Sequence, residues 1–197
     1  MKHIVLAFAL SLAAATPALA DLVSLQALSR YLNDMDTAQG TFTQINSDDT
    51  VSTGTIYLQR PGRVRFEYDD DNLLVMAGGQ QVAIFDGRSN TRPEQYPLSE
   101  TPLNLILARN VDLGRSGMVT GHTFDGTATR VLAQDPERPE VGTIELVFTD
   151  SPIELRQWVI TDNTGAETTV VLGNLTQGGR MSSGLFSIVQ EINARER

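Results

Sequence analysis

Apolar and polar positions change their period several times along this chain, and each change marks an expected element. From Ile4 to Ala15 the run is apolar, broken only by Ser11. Leu25, Leu28, Leu32 and Met35 then recur at spacings of three, four and three, with Arg30, Asn33 and Asp34 between them. That spacing puts one apolar stripe on a helix over about 22–35. Asp21 or Ser24 can accept from its free N–H groups as the cap. After Ala38 the period falls to two. Val64, Phe66 and Tyr68 alternate with Arg63, Arg65 and Glu67, and Ile144, Leu146 and Phe148 repeat the device. Strands are expected at 40–45, 53–59, 64–68, 73–77, 81–85, 129–134, 144–148, 156–161, 167–172 and 185–189, joined as an antiparallel sheet. Asp162-Asn163-Thr164-Gly165 reads as a hairpin turn, because Asn and Gly tolerate positive φ.

One helical pattern interrupts the strands. Thr101 fits a cap and Pro102 the first helical position, followed by Leu103, Leu105, Ile106 and Leu107. Leu103, Ile106 and Leu107 share a face while Leu105 points elsewhere, so a single stripe does not account for the segment. Two readings stay open: a buried core helix, or a lid over an apolar cavity.

The first apolar run carries an address. Lys2 gives it a positive start and Ala18-Leu19-Ala20 the small-x-small pattern of a cleavage site, so residues 1–20 are expected to be a signal peptide. Roughly 12 apolar residues fall short of the about 20 needed to span a bilayer. The remaining 177 of 197 residues, 21–197, suit one domain. The chain has no cysteine, which excludes thiol catalysis, Cys-based metal sites and disulfides. Asp21 stands where a lipid-anchored exported protein would need a Cys, so a freely diffusing protein is expected. Lys2 is the only lysine; from Asp21 on, 14 arginines face 24 carboxylates, a formal charge of −10. That balance disfavours nucleic acid and anionic membrane surfaces as partners.

Reactive constellations are sparse. His122, in Gly121-His122-Thr123, is the one histidine beyond residue 20 and the only candidate general base, and a surface position is the plainer reading. No phosphate loop, Ser-x-x-Lys or metal-binding histidine pattern appears. Asp69-Asp70-Asp71 lacks the alternating spacing of a calcium loop and reads as a solvated turn between strands. Binding, not catalysis, is the function class that remains, with no metal and no cofactor expected.

Several segments, in order, resemble one family. Ala38-Gln39-Gly40-Thr41-Phe42-Thr43-Gln44 is similar to a small-x-Phe-x-Gln strand, and Leu58-Gln59-Arg60-Pro61-Gly62-Arg63-Val64-Arg65-Phe66-Glu67-Tyr68 to a basic-Pro-Gly strand entry. Thr101-Pro102-Leu103-Asn104-Leu105-Ile106-Leu107-Ala108 looks like a Thr-Pro-led lid helix, and 155–161 with 168–172 like a closing hairpin. Each is weak alone; together, behind an export signal, they resemble the periplasmic lipoprotein carriers of the Lol pathway, the LolA family.

The resemblance implies a mainly β (α+β) fold: an unclosed antiparallel barrel of about eleven strands with a helical lid over a hydrophobic cavity. It implies a periplasmic monomer that takes acylated lipoproteins from an inner-membrane ABC transporter to an outer-membrane acceptor. Arg60 matches the family's latch arginine, whose guanidinium would hold the lid through backbone carbonyls, with Trp158 at the position of a neighbouring aromatic. Phe42, Val64, Phe66 and Tyr68 would face the cavity; Leu25, Leu28 and Leu32, with Leu103, Ile106 and Leu107, would form the lid helices. Val64 departs from the Phe common in relatives, and the tail beyond Phe186 is short. The rival reading is a lipid- or lipoprotein-sensing regulatory module of the same fold; such proteins usually carry a second domain.

Overall fold

The computed structural model describes residues 22–70, 72–89 and 91–196. The expected signal peptide and Asp21 lie outside the described residues. The first helix, α1 (Leu25–Asp34), starts at Ser24, whose hydroxyl oxygen accepts from the Ala27 N–H at 3.3 Å. Its stripe buries Leu28 and Leu32 completely, with Leu25 packed beside them.

Eleven strands follow: β1 (Thr37–Ile45), β2 (Val51–Gln59), β3 (Arg63–Tyr68), β4 (Leu74–Gly78), β5 (Gln81–Phe85), β6 (Glu94–Pro97), β7 (Val119–Phe124), β8 (Thr129–Gln134), β9 (Gly142–Asp150), β10 (Ile153–Asp162) and β11 (Glu167–Gln177). They form one sheet in the order β6-β5-β4-β3-β2-β1-β11-β10-β9-β8-β7, with every neighbouring pair antiparallel. The sheet is not closed into a barrel. β6 and β7, adjacent among the strands in sequence, are its two opposite edges, and the segment 98–118 runs between them. That segment carries the short helix α2 (Asn104–Leu107) and buries Ile106, Leu107, Val111, Leu113 and Met118 in the main core. The expected turn joins β10 to β11: the Asp162 carboxylate accepts from the Thr164 and Ala166 N–H groups, and Gly165 takes φ +86°.

Two expectations need correction, and strand β6 was not expected. The segment 185–189 is not a strand but a 3₁₀ turn (Ser183–Phe186) running into α3 (Ile188–Arg195). Ser187 caps it by accepting from the Gln190 N–H, and Ile188 and Ile192, one turn apart, pack on the sheet while Val189 stays 67% exposed. The helix after Thr101 begins only at Asn104, because the Thr101 hydroxyl donates to Leu98 O instead of capping, and Pro102 sits in the preceding turn. The edge strand β6, with Glu94 and Gln95 exposed, shows no alternation that would reveal it.

α3 lies on the convex side, over Leu74, Met76, Ala83 and Phe85. The opposite faces of β4 and β5 send Ala77 and Val82 into the main core. Burial on both faces explains the unbroken run Leu74-Val75-Met76-Ala77, which an amphipathic strand would not show. Arg65 of β3 fastens this layer, its Nη1 donating to Glu191 at 3.1 Å and to Leu185 O at 3.2 Å. No helix among the described residues is long and apolar enough to cross a membrane.

Candidate functional site

The concave face is built from side chains two residues apart. Ile56 and Leu58 of β2 point inward and Arg60 follows in the same phase at the strand's end. Phe42 of β1 stacks edge-on against Phe66 at 5.2 Å and Tyr68 at 5.0 Å, and Phe66 meets Trp158 of β10 at 6.3 Å. Such edge-to-face contacts suit the ring quadrupoles. Gly54, opposite Phe42 in the register, makes the room: a Cβ there would lie 2.7 Å from the Phe42 ring and 2.1 Å from Glu67 O. Phe42, Val64, Phe66 and Trp158 are all at most 5% exposed. Tyr68 is half-buried, its hydroxyl donating to Gln44 Oε1 at 2.7 Å, and burial pushes its pKa up to about 12.

Over this face lie α1 and the α2 segment. Leu28, Leu32, Ile106 and Leu107 are buried against it, while Leu25, Leu103 and Leu105 are half-buried on the same core. The residues read as cavity wall and those read as lid are therefore packed together in one apolar layer.

Arg60 sits where the two covering segments meet. Its Nη1 donates to Leu32 O at the end of α1; its Nη2 donates to Ala108 O at 2.5 Å and to the Asn33 side-chain oxygen at 3.1 Å. The Gly62 N–H reaches Leu107 O at 2.8 Å and the Arg60 N–H reaches Asp36 O at 2.8 Å. Arg60 is 7% exposed, and burial pulls its pKa below the ordinary guanidinium value, an effect Asp36 partly offsets. A planar fork of donors suits several carbonyls at once. The described ring contact of Trp158 is with Phe66; none of the hydrogen bonds to the guanidinium comes from it.

Sequence reasoning missed how α1 is tied down. Asn33, a polar residue on an amphipathic helix, reads as solvated; instead its carboxamide pairs with both main-chain groups of Val111 at 2.9 Å. The Ser29 hydroxyl donates to Leu25 O and accepts from the Leu113 N–H. The Tyr31 hydroxyl accepts from the Leu155 N–H and from Gln177. The Val23 N–H donates to the buried Thr129 hydroxyl, and Val23 O accepts from His122 Nε2 at 2.9 Å. His122 thus corrects the surface reading: it is partly buried in β7 and holds the entry to α1. Among the described residues no group of three or more His, Cys, Asp or Glu gathers to hold a metal. A polar cleft of about 750 Å³ beside Phe85, Asp86, Arg92, Glu191 and Arg195 involves the convex-side helix, not this face.

An open antiparallel half-barrel whose aromatic concave face is roofed by helices defines a class of proteins, recognised by architecture and not by reactive groups. The family within that class follows from comparison: the model described as outer membrane lipoprotein carrier protein LolA matches residues 33–189, and the chain belongs to the LolA family. An outer-membrane lipoprotein carrier protein of Azotobacter vinelandii is 24% identical, over 91% of this chain and 88% of the relative. Among solved structures, a DUF1329 family protein from Desulfovibrio piger superposes with a TM-score of 0.50 at 10% identity, over 83% of this chain and 94% of that one. A LolA superfamily protein from Nitrosomonas europaea gives a TM-score of 0.47 at 9% identity, over 84% and 98%.

Proposed function

We propose that this protein is a soluble periplasmic carrier that shelters the acyl chains of lipoproteins leaving the inner membrane and hands them to the outer membrane. Membership of the LolA family supports a lipid- or lipoprotein-binding role, and a carrier in place of an enzyme. The observation that carries the finer reading is Arg60, one side chain bonded to both covering segments through Leu32 O and Ala108 O.

Energetics give that bond its purpose. Each buried methylene contributes about 0.8 kcal/mol, so full burial of three long acyl chains would bind by tens of kcal/mol gross. A carrier with that affinity would not release its cargo. Separating α1 and α2 from the aromatic face, and breaking the bonds to Arg60, Asn33 and Gly62, consumes part of the gross energy. Net affinity then falls in the range where a second membrane site can take the cargo over. On this reading Phe42, Val64, Phe66 and Tyr68 receive the chains, α1 and α2 are the lid and Arg60 its latch, with Trp158 flooring the same aromatic cluster. An inner-membrane ABC transporter loads the carrier and an outer-membrane acceptor, where one exists, unloads it.

The test uses the purified protein without residues 1–20. Added to spheroplasts synthesising acylated lipoproteins, it should release them as a soluble one-to-one complex. Lipoproteins that stay with the membrane would overturn the proposal, whereas binding of an apolar dye would not separate a carrier from a sensor.

A further inference from the structure

The guanidinium of Arg60 is a buried full charge whose hydrogen-bond partners are all neutral, two backbone carbonyls and one carboxamide. No ion pair among the described residues includes it. A guanidinium presents its donors as edges of two, and the edge formed by Nε and Nη2 matches the spacing of two oxygens on a carboxylate or phosphate. Here that edge is half used. Nη2 is engaged by Ala108 O and Asn33, while Nε is buried and has no partner. A buried donor without an acceptor forgoes a hydrogen bond and its hydration together. Arg60 also continues the inward row of Ile56 and Leu58, at the end of the apolar face and under the junction of both helices.

We propose that this edge is a head-group site for an amphiphile whose acyl chain ends in an oxyanion. Two oxygens of the head would sit on Nε and Nη2 while the chain enters between the helices and the aromatic face; this rests on the reading that the concave face receives acyl chains. The exchange is built in. A bidentate head must displace from Nη2 one of its two present acceptors, Ala108 O or the Asn33 oxygen, so filling the edge breaks a bond from Arg60 to one of the two covering segments. The anion both satisfies the charge and loosens the cover, whereas a neutral head of equal chain length, with a single hydroxyl oxygen, can do neither in full. Fatty-acid carboxylates and the phosphate of acidic phospholipids share this chemistry. With 24 carboxylates against 15 cationic side chains, the protein does not attract anions generally, so a preference for an anionic head would be traceable to Arg60.

Trp158, the single tryptophan, lies against Phe66 and reports on the face by its fluorescence. The protein is titrated with laurate below its micelle concentration and with 1-dodecanol, then with dihexanoylphosphatidylglycerol and the diacylglycerol of the same chains. The anionic member of at least one pair should bind about tenfold or more tightly, and Arg60→Gln should bring the two within about twofold. Preference confined to the first pair identifies a carboxylate ligand, and to the second a phosphodiester. Equal binding within both pairs by the wild-type protein overturns the proposal, whether or not the variant folds. Lipoprotein release from spheroplasts without a head-group preference sinks this inference and leaves the carrier reading standing; a preference without lipoprotein release does the reverse.

Discussion

The carboxamide of Asn33 and the main chain of Val111 exchange two hydrogen bonds of 2.9 Å each, so a helix side chain joins the segment after α2 as one strand joins another. The same oxygen of Asn33 also accepts from Arg60. Asn33→Ala removes all three bonds and leaves both Val111 groups to find water, and should destabilise the packing of that segment against α1 by about 1–3 kcal/mol. Hydrogen exchange at the Val111 amide should accelerate; unchanged protection there would show that apolar packing alone holds the segment.

Arg60→Leu deletes the donors to Leu32 O, Asn33 and Ala108 O together. On the carrier reading closure is weakened and less energy is recovered when cargo leaves. Loaded variant should accumulate, and transfer to an outer-membrane acceptor should fall by about tenfold or more. Transfer at the wild-type rate would separate Arg60 from the release step.

Gly54 sets how closely β2 and β3 approach beneath Phe42. Gly54→Ala cannot be absorbed by a flexible side chain alone, because its Cβ meets the Glu67 carbonyl oxygen at 2.1 Å. Urea unfolding should show a loss of about 1–3 kcal/mol. A neutral outcome would mean the β2–β3 pair can part without cost.

Acid should loosen α3 before the sheet. Burial raises the Glu191 pKa, but the hydrogen bonds from Arg195 and Arg65 outweigh it and hold the carboxyl below its ordinary value. A lowered folded pKa contributes stability that is present above the unfolded glutamate value, about 4.3, and is lost as the pH falls through the lower folded one. Glu191→Gln should cost about 1 kcal/mol at neutral pH and abolish that acid-dependent part. Denaturation midpoints from pH 7 downward check both.

Alkali acts with the opposite sign on Tyr68. Its pKa stands at about 12 because burial disfavours the phenolate. The native state therefore keeps a proton that the unfolded chain gives up near pH 10, and stability should fall as the pH rises from there toward 12. Tyr68→Phe should shift the alkaline unfolding midpoint upward; an unmoved midpoint would assign the transition to other groups.

The legible parts of the fold were those with one polar face. Val64 and Phe66 alternate with Arg63, Arg65 and Glu67 because one side of β3 meets the core, and the expected strand agrees with the observed one within a residue. Period reading failed where an apolar cluster was ambiguous between two and 3.6: Leu185, Phe186, Ile188 and Val189 suit a strand until Ile192 is included with Ile188. Alternation alone groups Phe66 and Tyr68 on the inward face of β3, whereas Phe42 and Trp158 enter only through the family resemblance. The polar ties follow from neither, since nothing local distinguishes Asn33 or Ser29 from a solvated helix residue when their partners, Val111 and Leu113, stand 78 and 84 positions away.

The strand order has a mechanical side. β6 and β7 are the two rims of the mouth, and residues 98–118 are the length of chain strung from one rim to the other, with α2 along it. A change in the distance between the rims moves both anchor points of that span. On the carrier reading, flexing of the sheet carries α2 with it, like a strap drawn across an opening, and cargo that spreads the rims pulls on the strap from both ends.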